Sequence, residues 1–188
     1  VNQFDACKLI EEKLTAASGK FVLVQRDPNC SGHASIKIAS DDDAAHVLRY
    51  KPELESELPY LSAFQCGLAL RSIQAKTVTR FDLASTPTMG QDVKRLIEDH
   101  LRKTGSPVPM SMVPKLCQQL GHGLGLQLRS MPIAIRVDEW LFRDYPALAE
   151  LQRKSIERQL QEAMHALGPS VRAFAPQSII DAKASLNN

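Results

Sequence analysis

Cys30, His33, His46 and Asp138 are the residues of this chain whose types could support nucleophilic chemistry. A thiol, two imidazoles and a carboxylate are the parts of a nucleophile, a base and its orienting group. That chemistry needs them within hydrogen-bond reach of one another. The other candidates are weaker. The five histidines are His33, His46, His100, His122 and His165, and no two stand at metal-ligand spacing. The four cysteines, Cys7, Cys30, Cys66 and Cys117, form no C-x-x-C pair, which argues against a zinc knuckle or a dithiol redox site. Gly121-His-Gly-Leu-Gly125 lacks both the G-x-G-x-x-G spacing and the Lys-Ser/Thr pair of a phosphate loop. Asp41-Asp42-Asp43 lacks the alternating ligands of a calcium loop and reads as a solvated turn. Lys94, Arg95, Arg102 and Lys103 make one helix basic, but no aromatic residues interleave them, so nucleic acid is not the expected partner.

These residues ride on elements that the periodicity predicts. A helix is expected over residues 3–18, with Phe4, Cys7, Ile10 and Leu14 inward and Glu11, Glu12 and Lys13 outward. Phe21-Val-Leu-Val24 is wholly apolar and reads as a buried strand. Residues 33–39 alternate as a half-buried strand, and residues 46–50 form a third strand. A helix is expected over 58–74, with Pro59 in its first turn and Tyr60, Phe64 and Leu68 on one face. Residues 75–90 read as a polar connector and 92–103 as a short amphipathic helix. Ser106 to Pro109 reads as a stiff linker. A Leu-rich helix then runs from Ser111 to a break at Met131-Pro132. Residues 133–141 lead to a long helix over about 147–167, with Ile156, Leu160 and Met164 inward. A short helix follows Ala175. Trp140, Phe142 and Tyr145 are the densest aromatic patch and read as core.

The fold class expected is α+β: a helix, a small three-stranded sheet and a central helix over residues 1–75, then a helical half over 76–188, all in a single domain. At 188 residues, 44% hydrophobic and 23% charged, the chain can bury a core without disulfides or metal. Its net charge of +2 is too small to argue for a polyanionic partner. No apolar run approaches the roughly 18 residues of a transmembrane helix, so no membrane partner is expected. No signal peptide is visible, and Val1 in place of Met suggests that the natural N-terminus lies upstream. Unpaired cysteines on apolar helix faces fit a reducing, cytoplasmic setting.

The central helix, Leu58-Pro-Tyr-Leu-Ser-Ala-Phe-Gln-Cys-Gly-Leu-Ala-Leu-Arg71, carries one further signal. Its context Ala63, Cys66, Gly67, Leu70 and Arg71 resembles the active-site helix of bacterial zincin-like metallopeptidases. In that helix two His at i and i+4 bind zinc and the Glu between them is the general base. His46-Val-Leu-Arg-Tyr50 resembles the strand before that helix. Gly123 to Ile133 and Val137-Asp-Glu-Trp-Leu141, followed by Tyr145-Pro146 and Gln152, resemble the family's second block. The resemblance spans about residues 20–165 and implies a zincin-like core, with an acidic third ligand at Asp138 or Glu139. The departures decide the chemistry. Phe64 and Leu68 stand where the two His are needed, and Gln65 stands where the Glu is needed. A phenyl and an isobutyl group cannot coordinate a metal, and an amide cannot take a proton from water. The chain is therefore expected to hold no metal and no cofactor and to have no catalytic residue at this position. The degenerate site is Phe64, Gln65, Leu68 and Asp138, flanked in the cleft by His46, Tyr60 and Glu139. The function expected is protein or peptide binding by an inactive zincin-like domain. The alternatives are a hydrolase built on Cys30, His33, His46 and Asp138, or a structural or regulatory subunit.

Overall fold

The computed structural model describes residues 2–30, 32–75, 86–106, 108–165, 168 and 175–185. Most of the expected connector (76–85), Pro107 of the linker, the end of the long helix at 166–167 and the side chain of His122 lie outside the described residues. By contact the chain divides into two compact units, residues 1–80 with 133–156 and residues 81–132 with 157–188.

The first unit is mixed α/β. Helix α1 (Gln3–Ser18) starts at Asn2, whose side chain accepts from Phe4 and Asp5 N–H, while the Asp5 carboxylate accepts from Asn2 N–H. This capping box satisfies donors that the first turn would otherwise leave orphaned. Gly19, at φ 73°, ends the helix in the left-handed conformation that glycine adopts without strain. Three strands follow: β1 (Phe21–Arg26), β2 (Ala34–Lys37) and β3 (Ala45–Tyr50). β3 is central. It pairs parallel with β1, from Phe21 opposite Ala45 to Arg26 opposite Tyr50. It pairs antiparallel with β2, from Ala34 opposite Tyr50 to Lys37 opposite Val47. A 3-10 turn (Pro52–Glu57) leads into α2 (Leu58–Gln74).

The core lies between this sheet and the helices. Ile10 and Leu14 of α1, Leu48 and Tyr50 of β3, and Tyr60, Leu61, Ala63, Cys66 and Leu70 of α2 form one buried cluster with Val137, Leu141, Tyr145 and Leu148. Two expectations about burial are corrected here. Phe4 is 66% exposed, and α1 buries Ala6 in its stead. Phe21 and Leu23 are 57% and 43% exposed, and only Val22 of that apolar run packs on the core. Phe21 and Leu23 stand opposite Ala45 and Val47, which alternate with the buried Leu48 and Tyr50 of β3, so they lie on the sheet face turned away from the core. An apolar run reports strand character but not whether both faces are covered.

The second unit is helical among its described residues: α3 (Pro87–Thr104), the start of α4 (Val113–Asp144), the end of α5 (Ala149–His165) and α6 (Gln177–Ser185). α3 begins five residues before the expected start, because Thr86 caps it through Met89 N–H and Pro87 suits the first turn. The expected break at Pro132 does not occur. α4 runs through it as one helix, with Pro132 lacking the N–H that would donate there. Leu160 and Met164 are exposed instead of inward, as is Phe142 of the aromatic patch, while Gln152 and Ser155 of α5 are buried. No helix among the described residues is long and apolar enough to cross a membrane.

Candidate functional site

α2 carries the three positions of interest, and each side chain is committed to packing or to a hydrogen bond. Phe64 and Leu68 are half-buried against the core of the first unit. Gln65 donates from Nε2 to the Ala34 carbonyl of β2 at 3.0 Å. Its amide thus ties α2 to an edge strand.

Asp138 lies where α4 meets α2. Tyr60, one turn before Phe64, donates its hydroxyl to Asp138 Oδ1 at 2.8 Å. The Tyr60 and Phe64 rings are 6.0 Å apart between centroids. Gln152 of α5 donates from Nε2 to the same Oδ1 at 2.8 Å and to the Asp138 backbone carbonyl at 2.9 Å. Burial pushes the Asp138 carboxyl above its ordinary value, and the hydrogen bonds from Tyr60 and Gln152 work against that shift. Tyr60, Phe64 and Asp138 are thus brought into one neighbourhood. The adjacent Glu139 is exposed.

His46 sits in a different setting. It is buried, its Nδ1 accepts from Ala39 N–H at 2.9 Å, and its Nε2 lies 2.9 Å from Ser18 Oγ. An accepting Nδ1 leaves the proton on Nε2, which donates to Ser18. Burial, with a smaller contribution from Lys20, lowers its pKa and keeps the ring neutral. Both nitrogens are used, so His46 has no site left to act as a base for Cys30. Cys30 contacts Ser35 Oγ at 3.4 Å and the Arg49 carbonyl at 3.5 Å. The geometry therefore gives no support to a nucleophile–base pair of these two residues. Among the described residues no three His, Cys, Asp or Glu side chains gather as a metal-ligating set.

A polar cluster at the α1–α2 contact was not foreseen. Glu11 is half-buried, not outward, and Oε1 accepts from Ser62 Oγ at 2.7 Å and from Cys7 Sγ at 3.4 Å. Burial, and secondarily the Glu11 charge, pushes the Cys7 and Cys66 thiols up to about 12. The signal was present in the sequence: Glu11 follows Cys7 by one helical turn and shares its inward face.

No family model matches this chain, and neither a search of curated proteins nor a search of solved structures gives a match.

Proposed function

We propose that the first unit is a zincin-like scaffold without metal chemistry, acting by binding a protein or peptide in a reducing, cytoplasmic setting. One observation supports this above the others. The positions that would have to supply two ligands and a base hold Phe64, Leu68 and Gln65, and all three are built into the packing around α2. A lone carboxylate does not hold zinc against water, and Asp138 is already bonded to Tyr60 and Gln152. Burying an apolar side chain of this size contributes about 1.5–3 kcal/mol when complete, and the half-buried Phe64 and Leu68 gain part of that by packing against the core.

The test is to restore the lost groups. Protein purified without chelator is expected to carry far less than one zinc per chain. The triple variant Phe64→His, Gln65→Glu, Leu68→His is expected to take up about one zinc, with tetrahedral ligation. Adding Asp138→Asn should then remove it. A triple variant that keeps its helical circular dichroism and binds no zinc would sink the zincin reading. Stoichiometric zinc in the wild type would sink the loss of chemistry. If the triple variant does not fold, Phe64→His with Leu68→His alone decides by the same zinc readout.

A second reading, a subunit that covers apolar surface with a partner, draws on β1. Its exposed Phe21, Leu23 and Val24 lie on a sheet edge, where unpaired backbone invites another strand.

A further inference from the structure

The first unit contains a solvent-open pocket of about 490 Å³, lined by Lys13 of α1, Gly67, Leu70, Arg71 and Gln74 of α2, and Trp140 of α4. It shares no lining residue with the degenerate metal site. Its volume falls within the range of small-ligand sites.

The chemistry of the lining is specific. Lys13 Nζ stands 5.8 Å from the Trp140 ring centroid and 5.3 Å from that of Tyr145. Two aromatic faces hold this ammonium by cation–π attraction. Among the described residues Arg71 makes one long contact, 3.4 Å from Nη2 to the Arg136 carbonyl, which leaves most of its guanidinium donors facing the pocket without a described partner. Among the described residues neither cation has a carboxylate within ion-pair distance. The acid that senses Lys13 is Asp144, and its carboxylate is already bonded to Arg143 at 2.7 Å. Gln74 adds an amide. Leu70 and the Trp140 ring supply apolar wall.

Gly67 makes this wall possible. A Cβ there would lie 2.8 Å from Val137 Cγ1 and 3.2 Å from Trp140 Cζ3. Without one, α4 approaches α2 closely enough to set the indole into the pocket.

We propose that this pocket binds a carboxylate carried on an apolar group. The guanidinium fork of Arg71 matches a carboxylate in two-point geometry, Lys13 adds a second positive charge, and Trp140 with Leu70 takes the attached hydrocarbon. A bare inorganic anion would leave the apolar wall unused. The carboxylate can belong to a free acid or peptide C-terminus, or to an acidic side chain of a partner.

Trp140 is the chain's one tryptophan, so its fluorescence reports on the pocket directly. The full chain is titrated with N-acetylphenylalanine, with N-acetylglutamate α-amide, and with N-acetylphenylalaninamide as the uncharged control. A saturable change is expected with at least one acid and none with the control. Arg71→Gln should weaken binding about tenfold or more, as loss of a charge-assisted hydrogen bond predicts, and Lys13→Met should weaken it as well. Both side chains are exposed, so these variants should retain the wild-type circular dichroism. Tighter binding of N-acetylphenylalanine assigns a free terminal carboxylate. Tighter binding of the glutamate derivative assigns a partner's side chain. The proposal is overturned if neither acid gives a saturable change up to 10 mM, if the control binds equally, or if Arg71→Gln binds as the wild type does. None of these outcomes bears on the zinc test of α2.

Discussion

The two units of this molecule hold themselves together by different means. In the first, one cluster runs from Ala6, Ile10 and Leu14 of α1 through the sheet and α2 to Leu141, Tyr145 and Leu148. In the second, the buried cluster comprises Ile97, Leu101, Val113 and Ile179, with Val93, Val108, Cys117 and Leu120 packed against it. α3 compensates locally. Thr86 caps its start and Gly105, at φ 60°, its end. Lys94–Glu98, Arg95–Asp92 and Arg102–Asp99 pair along its exposed surface. Such exposed pairs contribute only a few tenths of a kcal/mol each. The comparison teaches that helix content and packing are separate quantities. Among the described residues both units are rich in helix, and the larger buried cluster lies in the first.

The largest test of that contrast lies in the cores. Leu141→Ala, at a fully buried position, should destabilise the protein by about 2–5 kcal/mol in urea unfolding followed by circular dichroism. Ile97→Ala, fully buried in the cluster of the second unit, should likewise cost about 2–5 kcal/mol. A loss well below that range at either position would refute its assignment to a packed core.

A smaller but sharper test uses one substitution twice. Gly67→Ala pushes a methyl group into Val137 and Trp140 and should cost about 1–3 kcal/mol. Gly125→Ala, in the α4 segment of the second unit, meets nothing within 4 Å and should stabilise by up to about 1 kcal/mol through helix propensity. Opposite shifts in melting temperature are expected, and shifts of the same sign would refute the assigned packing.

The smallest expected effect is on pH dependence. His46 has its folded pKa below the ordinary value, so the unfolded chain takes up the proton more readily. The stability contributed by the neutral ring is therefore complete above the unfolded value of about 6.5 and is lost progressively as pH falls from there through the lower folded value. Thermal unfolding between pH 8 and pH 5 should show this slope. In His46→Gln, whose amide can also accept from Ala39 N–H or donate to Ser18, the slope should flatten.

Local rules recovered much of the first unit. α1 and α2 span the residues that apolar spacing, with Gly19 past the end of one and Pro59 in the first turn of the other, leads one to expect, and the three strands lie close to where alternation and turn residues put them. What the sequence did not disclose was pairing. The strand order β1-β3-β2 is a nonlocal fact that makes β1 an edge, and the exposure of Phe21 depends on which face of the assembled sheet the helices cover. Pro132 failed as a breaker because the helix on either side of it is long enough to absorb one missing bond. For the site, resemblance singled out Asp138. Its link to Tyr60 spans 78 residues, beyond any periodicity argument. The Lys13–Arg71–Trp140 pocket draws on three helices, and only the assembled unit brings them together.

The two thiols beside Glu11 offer a built-in timer. Burial pushes both thiols up to about 12, so far less of the reactive anion is present at neutral pH than for an ordinary free cysteine. Alkylating reagents should therefore reach Cys7 and Cys66 only when α1 and α2 separate. The rate at which the intact chain gains those adducts would count the openings of its own main core.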